Sequence, residues 1–468
     1  MAKLLDVGVS VRLALQVLSQ HHPDAHLVLA VSGGLDSMVM LSLLHQQIFE
    51  FKGMDMTVVH VNHGLSANAC DWQDLVAQQA QSRHRSFKSE TITLSSKANL
   101  ESQAREARYA VFMQEIEIIK RLYPKVTPVL VLGHHQDDMA EHFLLRLMRA
   151  AGPAGLAGPC AIERHFLGFM VWRPLLNLSR SQLYDYAALH SIPHVEDESN
   201  TDTTYDRNYI RHTLMPGFKS RWPHALQVIS QSQKWCAESA ALNDELACID
   251  LKEFVVPLTP AQIPALKVTF YKQLSWSRAK NLIRYWLALQ GIKQLRDSLW
   301  LRLQAQLSHD RLKPTTQIML DNSKSLFLSF AYECMYVCRE YTTYDASLDD
   351  LIAFDSAQLL KDNYGVVLVE YSNFNFLTAR QSIHYPHILN LHIPSSIFEN
   401  FDSDINWYWR LGRSNETIKL CNKPYAMAIK KIWQEFKIPF YLRSRWPLLV
   451  NAQSQVLYIP GVGFTRSF

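Results

Sequence analysis

Leu27-Val28-Leu29-Ala30-Val31 runs directly into Ser32-Gly33-Gly34-Leu35-Asp36-Ser37, and a helical pattern over Asp36 to Gln47 follows at once. An apolar run of this length reads as a buried strand. A glycine-rich turn between strand and helix is an anion site: the first helical N–H groups have no partner and carry the positive end of the helix dipole. Gly33 and Gly34 lack Cβ, so the backbone there can take positive φ and approach phosphate oxygens. Ser32 and Ser37 supply hydroxyl donors. Asp36 is a poor neighbour for bare pyrophosphate, so it is expected to hold Mg²⁺ or to orient a donor. The loop lacks the Gly-Lys-Ser/Thr ending of a Walker A motif, which excludes a P-loop NTPase.

Outward from this loop, short apolar runs alternate with helical stretches as far as about residue 215. Met56 to Val61 and Pro128 to Leu132 read as further strands, Asn99 to Lys120 and Asp137 to Ala150 as helices. That alternation predicts an α/β, doubly wound parallel sheet. The texture changes near Pro216. The reading is a catalytic domain over 1–216, a helical middle domain over 217–345, a linker over 346–384 and a small α+β C-terminal domain over 385–468. The middle stretch carries Trp222, Trp235, Trp276, Trp286 and Trp300 and a long amphipathic period from Ser277 to Gln306.

With 48% hydrophobic and 19% charged residues, the 468-residue chain has an ordinary globular composition. Seven scattered cysteines without a C-x-x-C pair fit reduced thiols in the cytoplasm better than a disulfide framework. No apolar stretch approaches a spanning helix, so no membrane partner is expected. The net charge of +4 names no partner by itself.

His60-Val61-Asn62-His63-Gly64 closes the second strand; Gly133-His134-His135-Gln136-Asp137-Asp138-Met139-Ala140-Glu141 closes the third and opens a helix. At helical spacing His134, Asp138 and Glu141 share a face. Three readings stand open: capping acids, a metal cluster of His60, His63, His134, His135 and Asp138, or a pocket in which Asp138 and Glu141 take a cationic substrate. A metal hydrolase would leave the Ser32–Ser37 loop without a role.

The sequence resembles the tRNA(Ile)-lysidine synthetases, a family of PP-loop ATP pyrophosphatases. Four segments carry the likeness: Ala30 to Ser37, Asn99 through Tyr109, Gly133 to Arg149, and Glu196 through His212. The first is common to the wider superfamily; the last two together are more specific. The resemblance implies that ATP activates the 2-carbonyl of the wobble cytidine in a CAU-anticodon isoleucine tRNA. Free L-lysine then displaces AMP. It further implies that Ser32, Gly33, Gly34, Leu35, Asp36, Ser37 and His60 bind ATP, with Mg²⁺ at Asp36. Asp36, Arg108, His134 and Arg207 form the implied catalytic set, and Asp138 and Glu141 match the family's lysine-binding acids. A 2-thiocytidine synthetase of the same superfamily is the alternative, disfavoured because Cys334 and Cys338 lie outside the catalytic region.

Residues 411–450 hold eight cations against two acids, a net +6. Lys419, Lys423, Lys430, Lys431, Arg443 and Arg445 are the candidate tRNA contacts, with Tyr425, Trp433, Phe436, Tyr441 and Trp446 interleaved as stacking surfaces. The sequence leaves the oligomeric state open, a homodimer included.

Overall fold

The computed structural model describes residues 2–64, 66, 68–92, 100–165, 168–258, 263–292, 295–309, 316–321 and 326–339. It also describes the strand segments 352–353, 360–361, 366–369, 391–394 and 407–411, then 416–440, 443, 446–451, 453–459 and 461–466. The chain divides into two compact units, Met1–Leu242 and Asn243–Phe468.

In the first unit the elements run α1 (Ala2–His21), β1 (Ala25–Ala30), α2 (Leu35–Gln47), β2 (Asp55–Asn62), α3 (Ala69–Ser82), β3 (Ser86–Thr91), α4 (Leu100–Leu122), β4 (Thr127–Val131) and α5 (Gln136–Met148). Then follow α6 (Pro153–Leu156), β5 (Ile162–Arg164), β6 (Met170–Trp172), α7 (Arg180–Leu189), α8 (Asp206–Tyr209), a π turn (Ile210–Leu214) and α9 (Met215–Arg221); α10 (Ala225–Phe254) begins in this unit and runs past Leu242 into the second. The sheet order is β3-β2-β1-β4-β6-β5, parallel except for the β5–β6 hairpin. The expected strands and helices are present, each shifted by a residue or two. Sequence reading missed β3, because Ser86-Phe87-Lys88-Ser89-Glu90-Thr91 sits at the sheet edge and carries no apolar run.

Alternation along β1 explains the layering. Leu27 and Leu29 face one core with Met38 and Leu41 of α2 and Val11 and Leu15 of α1; Val28 faces the other with Phe112, Ile116 and Ile119 of α4. Both faces of a parallel sheet must be covered because its strands are apolar on both sides. The strand order reverses between β1 and β4, so the loops after these two strands diverge to form the crevice where such sheets bind ligands. The phosphate loop follows β1, and Gly133–His135 follows β4.

The first unit does not end at the change of texture near Pro216. Met215, Phe218, Leu226 and Ile229 pack with Ala140, Leu144 and Leu145 of α5, so the chain to Leu242 is tied to the sheet domain by an apolar contact that composition did not mark.

The second unit supplies the expected helices, Trp276–Leu289 and Asp297–Leu307, broken at Gly291 with φ +79°. Beside them lies a five-stranded antiparallel sheet built from residues 255–339, which the reading of 217–340 as helices omitted. Its strands are short and apolar, and such runs cannot be told from buried helix by period alone. Trp286 and Trp300 lie in that core, while Trp222 and Trp235 of the first unit are exposed. Within 346–384 the described residues form short strands, and Val366–Val369 pairs with Leu360–Lys361 and Leu391–Pro394. Near the C-terminus, Ile429–Glu435 packs on strands Pro447–Asn451 and Val456–Ile459.

Candidate active site

The loop between β1 and α2 is held in shape by its own polar groups. Ser37 Oγ donates to Gly34 O at 2.9 Å and accepts from Ser32 N at 3.2 Å, so its hydroxyl is spent inside the loop and not offered outward. Ser32 Oγ lies 3.3 Å from Ser37 Oγ and accepts from Gly34 N at 3.4 Å. Only Gly33 takes positive φ, +92°, and a Cβ there would meet Val195 Cγ2 at 3.3 Å. Gly34 has φ −72° and needs no special conformation, which corrects the expectation that both glycines adopt the left-handed region. Gly33 O also accepts from Val195 N at 3.0 Å, pinning the loop to the segment before Glu196. No side chain caps α2 at Gly34, so the N–H groups of its first turn face a crevice ready for phosphate oxygens.

Asp36 sits in the first turn of α2, one-third exposed, with Oδ1 buried and without a partner. A buried carboxylate oxygen left unpaired is costly. A cation would satisfy it, and so Asp36 fits Mg²⁺. The loop after β4 packs directly behind: a Cβ on Gly133 would lie 3.5 Å from the Asp36 and Ser37 backbone. That is ordinary van der Waals contact, so the two crevice loops touch backbone to backbone.

His135, not Asp137, is the N-cap of α5, and it forms a reciprocal capping box with Asp138. His134 therefore precedes the helix and does not share a helical face with Asp138 and Glu141, as the spacing had suggested. Its Nδ1 accepts from Arg173 Nε at 3.2 Å, which leaves Nε2 carrying the proton. Burial, helped by the charges of Arg173, Arg207 and Arg105 against that of Asp138, lowers its pKa to about 4. At neutral pH His134 is an uncharged N–H donor. Arg173 was missed by sequence reading. It is 5% exposed and also bonds Cys160 O at 2.8 Å and Glu163 Oε1 at 2.7 Å. Its place at the end of β6 has no motif to mark it.

Asp138 and Glu141 do share a face of α5, and two arginines meet them there. Arg207 Nε donates to Glu141 Oε2 at 2.8 Å and Nη2 to Asp138 Oδ1 at 2.6 Å. Arg211 Nε donates to Glu141 Oε1 at 2.6 Å, and its Nη2 reaches Glu141 Oε2 at 3.0 Å and Asp138 Oδ1 at 3.2 Å. Two charges of each sign thus form a closed four-residue cluster. Burial works to raise the Asp138 pKa, but His135, Arg207 and His134 outweigh it and hold the carboxyl below its usual range. Arg211, on the π turn, is a second residue that sequence reading left unassigned. Asp137 stands outside this cluster and accepts from Lys219 Nζ at 2.5 Å and Arg180 N at 2.8 Å. A cavity of about 430 Å³ opens here, lined among others by Leu35, Glu141, Arg180, Asp185, Glu196 and Arg211.

His60 is 3% exposed, its Nδ1 2.9 Å from Val31 O, so it ties the end of β2 to β1. Arg108 stands exposed on α4, and its charge, after burial, helps push His63 down to about 4. Among the described residues no three His, Cys, Asp or Glu side chains converge to hold a metal, which leaves the His60–His63–His134–His135–Asp138 cluster without support. Each of those histidines has its own partner or its own strand end.

His63, His134 and His142 all have folded-state pKa values lowered to about 4 from 6.5, burial being the first cause in each. As pH falls below 6.5 the unfolded chain takes up these protons before the folded one, so stability is lost between pH 6.5 and 4. Thermal melts should show Tm already declining between pH 6.5 and 5, above the range in which most carboxylates titrate. A flat Tm from pH 7 to 4.5 would contradict the buried neutral state.

In the second unit Lys430 and Lys431 are exposed at the start of the helix Ile429–Glu435, and Lys419 is half-buried. Lys423 is paired with Glu435 at 2.5 Å. Arg443 Nε donates to Ile438 O at 3.0 Å, and Arg445 and Tyr441 lie outside the described residues. Trp433 and Trp446 are not stacking surfaces. They are 3% and 0% exposed and pack together in the core, leaving Tyr425 and Phe440 as the exposed rings.

A phosphate loop at the switch point of a parallel sheet, with an acid in its first helical turn, defines an ATP-using PP-loop enzyme. Residues 9–218 match the PP-loop domain family, and residues 408–468 match the TilS substrate C-terminal domain. The chain is 29% identical over 444 residues to a tRNA(Ile)-lysidine synthase of Proteus mirabilis, covering 93% of this chain and 90% of that one. It is 38% identical over 266 residues to one from Escherichia coli O157:H7, covering 57% and 58%. Among solved structures it is similar to a U34-tRNA thiolase of Methanococcus maripaludis, with TM-score 0.40 and 14% identity over 51% of this chain and 80% of that one. The chain belongs to the tRNA(Ile)-lysidine synthase family.

Proposed function

We propose that this enzyme forms lysidine: it joins free L-lysine through its ε-amine to the 2-position of the wobble cytidine in a CAU-anticodon tRNA(Ile), with ATP cleaved to AMP and pyrophosphate. The observation that carries the reading is the crevice itself, in which an uncapped phosphate loop adjoins two buried acids paired with two arginines beside a 430 Å³ cavity. In the first step the cytidine O2 attacks the α-phosphorus and pyrophosphate leaves, its charge taken by the first-turn N–H groups of α2. Mg²⁺ bound at Asp36 would supply further positive charge at the departing pyrophosphate. In the second step the lysine ε-amine attacks C2, the C–O bond to AMP breaks and the amine loses a proton.

The roles assigned to the chain follow from this chemistry. Neutral His134 donates a hydrogen bond from Nε2–H to an oxygen on which negative charge develops, and Arg108 and Arg207 hold phosphate or base oxygens. Asp138 and Glu141 receive the lysine amine, which must displace part of the guanidinium contact they already make. The cavity beside Glu141 carries both acids (Asp185, Glu196) and a cation (Arg180), the complement of an amino acid with two ammonium groups and one carboxylate. The sulfur-transfer alternative finds less support: Cys334 and Cys338 are buried, packed in an apolar cluster with Phe327 and Tyr336.

The deciding experiment incubates the protein with ATP, bulk tRNA and radiolabelled amino acids one at a time. Label entering RNA from lysine alone supports the reading; label from none, or from several, removes it. Lys430 and Lys431 are taken as tRNA phosphate contacts. The Lys430→Ala/Lys431→Ala pair should then weaken tRNA binding and reduce the slope of log affinity against log salt by about 1.4 to 1.8. An unchanged slope in a filter-binding salt titration would take these lysines out of the interface.

A further inference from the structure

His135 has no place in the chemistry above, yet it is the most enclosed polar side chain of the crevice, at 0% exposure. Three carboxylates surround it. Nε2 lies 3.4 Å from Asp36 Oδ2 and 3.4 Å from Asp138 Oδ2, close enough for charge attraction but without a hydrogen bond to either, and Nδ1 lies 3.9 Å from Asp137 Oδ2. Nδ1 accepts from Asp138 N at 3.4 Å as the helix cap, so the ring proton belongs on Nε2, between Asp36 and Asp138. Asp36 is in the phosphate loop. Asp138 is in the acid–arginine cluster. No hydrogen bond given for the described residues joins those two parts directly; the imidazole stands between them.

We infer that His135 is a positioning residue that aims the Asp36 carboxylate by the electrostatic pull of its Nε2–H, held at 3.4 Å from both Asp36 and Asp138, so that the nucleotide loop and the acceptor side are set by one side chain. The geometry explains two facts together. Asp36 Oδ1 stays unpaired and inward because Oδ2 is drawn to the imidazole, and the motif carries a histidine at an N-cap where serine, threonine, aspartate or asparagine would cap as well or better. A capping role alone needs only the Nδ1 acceptor. The second nitrogen is accounted for by Asp36. This inference rests on the reading of Asp36 as the Mg²⁺-nucleotide ligand and on no part of the lysine or tRNA assignment.

Two substitutions separate the two nitrogens. His135→Asn keeps a cap acceptor but has no group that reaches Asp36. His135→Gln has an amide long enough to donate to Asp36 but is a poor cap. The full-length chain is titrated calorimetrically with a non-hydrolysable ATP analogue, first in EDTA and then with Mg²⁺ added, and each variant is melted in parallel. His135→Asn should keep its Tm and its Mg²⁺-free affinity within about twofold, while the Mg²⁺ concentration for half-saturation rises about tenfold. His135→Gln should do the reverse, losing Tm and holding the Mg²⁺ requirement. Asp36→Asn should raise the Mg²⁺ requirement by itself, and combining it with His135→Asn should add nothing further. Additive effects, or a His135→Asn protein with the wild-type Mg²⁺ requirement, would overturn the inference. Wild-type protein that binds no nucleotide would overturn it together with the ATP reading, whereas failure of lysine incorporation alone leaves it standing.

Discussion

Asp36→Ala is expected to lower tRNA-dependent AMP release by about 10²- to 10³-fold while leaving the fold intact. Asp36 is one-third exposed and contributes nothing to either face of the sheet, so its removal opens no cavity. What it removes is a carboxylate whose Oδ1 is buried and unpaired beside the first turn of α2. An unpaired buried oxygen at a helix N-terminus is favourable to the helix dipole but unfavourable to pyrophosphate, unless a cation lies between them. If Asp36 holds Mg²⁺ as proposed, its loss leaves charge on the departing pyrophosphate uncompensated, and one such electrostatic contact is worth about 3–4 kcal/mol in the transition state. AMP release measured by chromatography tests it, with a melt as the control. Undiminished release in a folded variant would remove Asp36 from the chemistry.

Glu141→Gln should have the second largest effect, and a compound one. Glu141 is 1% exposed and accepts three guanidinium N–H bonds, from Arg207 at 2.8 Å and from Arg211 at 2.6 and 3.0 Å. Neutralising it leaves two arginines facing Asp138 alone. Breaking a buried pair from one side costs about 3–5 kcal/mol, so a clear fall in Tm is expected. Stability loss lowers the active fraction and affects all substrates alike. If Glu141 also receives the lysine amine, the KM for lysine should rise by a further ~10–100-fold, the worth of one charge-assisted bond, with the KM for ATP nearly unchanged. Steady-state kinetics below the melting transition separate the two. An equal rise in both KM values would leave Glu141 as a structural ion-pair residue only.

The sequence carried the sheet domain because its signals are local. Leu27–Val31 and Thr57–Val61 are buried on both faces, so their apolar runs survive any context, and the glycine turn after β1 is written in consecutive residues. Ser37, Gly34 and the tryptophans of 411–450 were read less well for a common reason. Whether a hydroxyl points outward, a glycine needs positive φ or an indole is core depends on what packs against it from a distant segment: Val195 on Gly33, Trp433 on Trp446. The middle sheet escaped because its strands are brief and antiparallel, with pairing partners as far apart as Lys267 and Cys334.

The candidate site divides in the same way. Asp36, Asp138, Glu141 and Arg207 are legible because each lies in a contiguous motif at the end of a strand or along a helix face. Arg173, Arg211 and the bridging position of His135 are not. Arg173 reaches His134 from 39 residues away, and Arg211 reaches Glu141 from 70. The sequence alone determined which motif residues reach the crevice, since strand ends and helix starts fix where a contiguous motif's side chains emerge. Only the tertiary structure decided how those groups are paired: that the acids expected to await an amine already hold two guanidiniums, that His134 is neutral, and that a buried imidazole stands between the phosphate loop and the acidic helix. Charge type is a property of a residue. Protonation and partnership belong to the burial and the neighbours that folding brings.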